Sequence, residues 1–178
     1  MTERTCCFFG HREINDTEDL RLKITETVEL LINEKGVDAF LFGSKSTFDK
    51  LCLELVTEIK KKYPHIKRVY VRAEYPYIDE GYERFLLQSY DETYFPQKIL
   101  GAGKSVYIER NYEMVNRSKY CIVYYDEDYI PRTKKQKDNA FLSPKPRKSG
   151  TSLALDYAVR KEKEIFIINT EKNKYTVT

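Results

Sequence analysis

Four short stretches are of interest, "GHRE" (10–13), "GSKS" (43–46), "RAEY" (72–75) and "KSGTS" (148–152), and three of them combine a small residue with hydroxyls or a cation. Glycine permits close backbone approach, hydroxyls and free N–H groups at a helix start donate hydrogen bonds, and Arg or Lys adds positive charge. That combination suits an anionic, phosphate-bearing ligand. Arg12 in particular favours bidentate contacts to phosphate or carboxylate, while its neighbour His11 also suits a turn anchor. Taken singly, Gly43 and Gly150 are ordinary helix-start residues; their recurrence at the ends of successive strands is what points to a site. Neither "GSKS" nor "GAGKS" (101–105) has the glycine spacing of a Walker loop, which argues against a P-loop ATPase. His65, next to Pro64, reads as an exposed cap at a helix end.

These stretches follow strand-like apolar runs: "TCCFF" (5–9), "DAFLF" (38–42), "RVYVR" (68–72), "YCIVYY" (120–125) and "EIFII" (164–168). Continuous rather than alternating apolar character predicts strands covered on both faces, as in a parallel sheet. Helical patterns lie between them. Asp16, with Asp19 three residues on, reads as the N-cap of a helix carrying Leu20, Ile24, Val28, Leu31 and Ile32 and ending at Gly36. Ser46 and Asp49 form a second capping box, ahead of a stripe of Phe48, Leu51, Cys52, Leu55, Val56 and Ile59. Ile108, Tyr112 and Val115 mark the buried face of a shorter helix, with Arg110 near its border and Asn111 beside it; Thr151–Lys161 forms another. The Tyr-rich stretch 73–104 holds a helix around 79–89 and leaves room for a short strand near Glu92–Phe95. The alternation predicts one α/β domain over 1–178: a doubly wound, mostly parallel, Rossmann-like sheet of about five strands with helices on both faces. Ligands of such sheets bind beyond the C-terminal ends of the strands, where the four stretches fall.

Composition bounds the function classes. The 178 residues are 41% hydrophobic and 33% charged, a folded rather than disordered balance, with 15 Tyr and no Trp. The net charge of +3 hides an asymmetry: seven Lys or Arg and a single acid lie between Tyr129 and Ser149. This basic insertion, about 126–148, is too long for an ordinary connection. No apolar stretch reaches membrane-spanning length, and Glu3 and Arg4 precede only a short apolar run, so neither a membrane span nor a signal peptide is expected. Cys6, Cys7, Cys52 and Cys121 lack metal-site spacing and read as buried reduced thiols of a cytoplasmic protein, with no metal and no cofactor implied.

"TCCFFGHR", "ERNYEMVNRSKYCIVYYD" (109–126) and "KSGTSLALDYAVRKEKEIFIIN" (148–169), in that order, resemble the SLOG superfamily. This is a Rossmann-like group named for its Smf/DprA and LOG-type members, and the similarity is greatest to its small stand-alone bacterial and phage proteins of unassigned function. It covers the chain apart from the basic insertion. The resemblance implies binding of nucleotides or nucleotide-derived molecules at the strand C-termini. Some members hydrolyse nucleoside monophosphates to base and ribose phosphate; others are sensor domains in phage defence. Carried onto this chain, the ligand-binding residues are Gly10, His11 and Arg12, then Gly43, Ser44 and Lys45, then Arg110 and Asn111, and finally Lys148, Ser149, Gly150 and Thr151. The hydrolase branch has P-G-G-x-G-T-x-x-E; aligning its G-T with Gly150–Thr151 puts Ala154 where the catalytic glutamate stands. Asp156 lies two residues farther, about 200° around the helix, and does not substitute. Where relatives show "GMALGVD" this chain has "GSKSTFD": the second glycine is gone, and Asp49 stands at the aspartate position.

The expected function is therefore binding or sensing of a nucleotide or ADP-ribose-like molecule at the C-terminal edge of the sheet. The alternative enzyme is an N-glycosidic hydrolase acting on a nucleotide through Glu109, Asp49 or Glu74, because an oxocarbenium-like state needs a nearby carboxylate. A further alternative is single-stranded nucleic-acid binding through the basic loop, which is otherwise expected to fold over the anionic ligand as a lid. The resemblance also makes a homo-oligomer, dimer or higher, the expected assembly.

Overall fold

The computed structural model describes residues 2–43, 45–129 and 148–169. Six strands form one all-parallel sheet: β1 (Thr5–Gly10), β2 (Ala39–Phe42), β3 (Lys67–Val71), β4 (Glu92–Tyr94), β5 (Tyr120–Tyr124) and β6 (Glu164–Ile167), in the spatial order β4-β3-β2-β1-β5-β6. The five expected runs are all strands, and the short segment near residue 92 adds the sixth at an edge. The fold is α/β and Rossmann-like, with α1 (Glu18–Lys35) and α2 (Thr47–Lys62) on one face and α4 (Val106–Asn116) and α5 (Gly150–Arg160) on the other. A short α3 (Glu80–Leu86) precedes β4.

Side-chain alternation along β1 shows how the two faces are served. Cys6 and Phe8 join Leu20, Ile24 and Leu31 of α1 and Phe48 and Val56 of α2. Cys7 and Phe9 point the other way, to Met114 and Val115 of α4 and Ala154 and Leu155 of α5. All four cysteines are buried and free. Fully burying a side chain of Phe or Leu size contributes roughly 1.5–3 kcal/mol, so both faces hold the sheet in place. No helix among the described residues is long and apolar enough to cross a membrane.

Helix boundaries refine the sequence reading. The N-cap of α1 is Thr17, whose side chain accepts from the Leu20 N–H at 3.2 Å; Asp16 instead grips Arg21 through two oxygens. Ser46 caps α2 by accepting from the Asp49 N–H, as expected. On α4 the buried residues are Arg110, Glu113, Met114 and Val115, whereas Ile108 and Tyr112 are only half-buried. Arg110 thus sits at the centre of that buried face rather than at its border.

From β1 the chain steps outward through β2 and β3 to β4, then returns over the sheet through α4 to place β5 on the other side of β1. The helices that follow β1 and β5 therefore leave on opposite faces, and a crevice opens where Gly10 pairs with Tyr124.

Candidate functional site

A cavity of about 520 Å³ occupies this crevice at the C-terminal edge of the sheet, within the span of about 300–1,000 Å³ common for small-molecule sites. Its walls come from segments far apart in sequence: the turn after β1 (Gly10 to Glu13), the turn after β2 (Gly43, Lys45, Ser46), Tyr70 of β3 with Ala73 and Glu74 beyond it, Tyr107, Arg110 and Asn111 of α4, Tyr129, and the start of α5 (Ser149 to Thr151).

Arg110 dominates the electrostatics. It is only 4% exposed, and its guanidinium donates to the carbonyl of Gly43 and, at 3.4 Å, to that of Val71. The first carbonyl lies just past the end of β2 and the second belongs to the last residue of β3. Its Nε donates to Asn111 Oδ1 at 3.0 Å. Among the described residues no carboxylate lies within 4 Å of it; desolvation lowers its pKa, opposed by the more distant charge of Asp49. A buried cation held by carbonyl and amide oxygens, with the charges of Asp49 and Glu74 beyond direct contact, favours an anion in the cavity it faces. Arg12 and Lys45 are exposed and add positive charge at the rim.

The three glycines of the site have different reasons to be glycine. A Cβ on Gly10 would meet ring atoms of Phe48 at 2.3 Å, so this glycine makes room for the core. A Cβ on Gly43 would lie 2.9 Å from Arg110 Cζ and 2.8 Å from Met114 Sδ, so this glycine seats the arginine. Above Gly150 there is open space among the described residues, with no heavy atom beyond its own chain neighbours and helix backbone within 4 Å. Of the three, Gly150 is the position where the backbone lies bare to a ligand.

The two helix starts at the cavity differ in the same direction. In α2 the first N–H, that of Thr47, is already used by the carbonyl of Arg12 at 2.9 Å, which also accepts from the Thr47 hydroxyl at 2.7 Å. In α5 the Ser149 side chain caps the Ser152 N–H at 3.0 Å, and among the described residues the Gly150 and Thr151 N–H groups have no partner. Between these two starts, that of α5 is the one whose first N–H is left open for an anion among the described residues.

His11 closes the opposite wall. It is 2% exposed and stacks on Tyr129, with centroids 4.0 Å apart and planes at 12°. Its Nε2 lies 2.9 Å from the Asp126 nitrogen and 3.2 Å from the Asp126 carbonyl oxygen; the N–H can only donate, so the shorter contact is the one in which Nε2 accepts, which places the ring proton on Nδ1. Among the described residues that Nδ1 is buried without a hydrogen-bond partner, and desolvation lowers the pKa of the ring. Asn169 fixes the adjacent Tyr125 through both its backbone groups, at 2.9 and 2.8 Å. The exit from β5 is thus held in two places.

Of the residues singled out in the sequence, Gly10, His11, Arg12, Gly43, Lys45, Arg110, Asn111, Ser149, Gly150 and Thr151 line the cavity together. Ser44 and residues 130–147 of the basic insertion lie outside the described residues. Lys148 does not line the cavity; its Nζ is 2.6 Å from Asp156. Among the candidate carboxylates Glu74 faces the cavity, whereas Asp49 is buried in the first turn of α2 and Glu109 falls outside the lining. Sequence reasoning missed Glu13, Tyr70, Tyr107 and Tyr129 as lining residues. Tyr107 was within reach of helical spacing, three residues before Arg110; the others depend on tertiary placement. No protein-family model matches the chain, and no curated protein matches it.

Proposed function

We propose that the protein binds or senses a nucleotide or nucleotide-derived, ADP-ribose-like molecule, with its phosphate at the start of α5 and its planar ring among the aromatic walls. The observation that carries the reading is Arg110, a buried cation with no carboxylate within 4 Å among the described residues, facing the cavity onto which the start of α5 opens. Tyr70, Tyr107, Tyr129 and His11 supply aromatic surface on the same cavity, which suits a purine better than a bare inorganic anion. The resemblance to the SLOG superfamily points the same way. A thermal-shift screen across nucleotides tests the reading, since a ligand at a hundred times its Kd stabilises the native state by about 2.7 kcal/mol. Phosphate-bearing nucleotides should raise the melting temperature; indifference to all of them would sink the reading.

An N-glycosidic hydrolase is the second reading, favoured by the single fact that Glu74 lines the cavity. It predicts release of free base from nucleoside monophosphates or NAD, abolished in Glu74→Gln. We also take the assembly to be a homo-oligomer. The exposed rings of Tyr75, Tyr77 and Phe85, clustered before and on α3, support this, and sedimentation velocity tests it.

A further inference from the structure

Glu74 is out of place in a cavity built only for phosphate. It shares the walls with Arg12, Lys45 and Arg110, and among the described residues it forms no ion pair with any of them. A free carboxylate repels an approaching anion, so its use must be on a part of the ligand that is neutral and bears donors.

Its one described hydrogen-bond partner sharpens the point. Tyr107, on the first turn of α4, donates its hydroxyl proton to Glu74. That proton being spent, the phenolic oxygen has only lone pairs to offer, as has the carboxylate. The pair presents acceptors alone. The segment is also held deliberately. Tyr75 adopts the left-handed region at φ 55°, unusual for an aromatic residue, and its carbonyl accepts from Arg72 Nη1 at 2.9 Å. Arg72 is in turn tied to the Tyr94 carbonyl by its own N–H at 2.9 Å, so the bend after β3 is fixed to the neighbouring strand.

We infer that Glu74 and Tyr107 form the sugar-reading end of the site, accepting hydrogen bonds from the vicinal hydroxyls of a pentose. Two adjacent donors on one face are what two adjacent acceptors complement, and a ribose diol supplies them. The inference rests on the nucleotide reading above and adds the residues that distinguish ribose from its deoxy forms. A site that hydrogen-bonds a hydroxyl discriminates against the analogue lacking it, because its acceptors lose their partner within the complex.

The test is calorimetric titration of wild type, Glu74→Gln and Tyr107→Phe with adenosine 5′-monophosphate, its 2′,3′-dideoxy analogue and inosine 5′-monophosphate, at one ionic strength. Glu74 is half-buried at the surface, so Glu74→Gln is expected to melt like wild type. Wild type should bind the ribonucleotide about tenfold or more tightly than the dideoxy form. The ratio should collapse toward one in Glu74→Gln and shrink in Tyr107→Phe. A ratio is the right readout, since removing the Glu74 charge could strengthen binding of every phosphate equally. Unchanged discrimination in Glu74→Gln would overturn the inference, as would wild type binding the two sugars equally. Discrimination by Glu74 between adenine and inosine forms instead would also overturn it, assigning the carboxylate to the base. If no nucleotide binds wild type, the parent reading falls and takes this one with it.

Discussion

At Gly10 an added methyl group would lie 2.3 Å from the Phe48 ring, whereas at Gly150 it would meet nothing within 4 Å among the described residues. Gly10→Ala is therefore expected to destabilise the fold by about 1–3 kcal/mol or more, measured by urea denaturation. Gly150→Ala should leave stability unchanged or raise it, because alanine is the better helix former and this glycine has no positive φ. Any defect of Gly150→Ala should appear in ligand affinity alone. In the sequence the two glycines read alike, each ahead of a polar or hydroxyl residue. Only the position of Phe48 separates them, and that depends on how α2 packs against β1. His11 carries a second prediction. Desolvation lowers its pKa below 6.5, so in the window below about pH 6.5 the unfolded chain binds more protons than the folded one. Its contribution to stability is complete above that pH and is lost as pH falls through the folded value. His11→Gln can still accept from the Asp126 N–H but cannot titrate, so its melting temperature should depend less on pH between 5 and 7 than that of wild type.

Among the elements, α1 tests how capping is assigned. Asp16 and Thr17 are adjacent and both are common caps, but Thr17 accepts from the Leu20 N–H while Asp16 is engaged with Arg21. Thr17→Ala should cost about 1 kcal/mol, and Asp16→Ala, which removes an exposed ion pair, only a few tenths. Chemical denaturation of the two variants distinguishes them. On α4, the apolar pattern of Ile108, Tyr112 and Val115 marks a face but underestimates Arg110. Its burial is specified by the carbonyls ending β2 and β3, which no local pattern along α4 contains. On α5 the cap Ser149 and the open Gly150 were both legible, because a hydroxyl residue followed by glycine at a helix start has a local cause.

Across the whole molecule, the alternation of continuous apolar runs with amphipathic helices was enough to predict a parallel, doubly layered sheet, since both signals are local. The place of the cavity follows from topology: the chain reverses its direction across the sheet after β4, and the crevice falls between β1 and β5. That reversal cannot be read from any one segment, although the residues it gathers can. Because Arg12 and Lys45 are exposed at the cavity, affinity for a phosphate-bearing ligand should weaken as ionic strength rises. The account stands most directly on titration of wild type and Gly150→Ala with adenosine 5′-monophosphate and with adenosine. It predicts that the monophosphate binds wild type at least about tenfold more tightly than the nucleoside, and that Gly150→Ala removes most of that difference while melting no lower than wild type. Equal binding of the two ligands, or a phosphate preference untouched by Gly150→Ala, would contradict it.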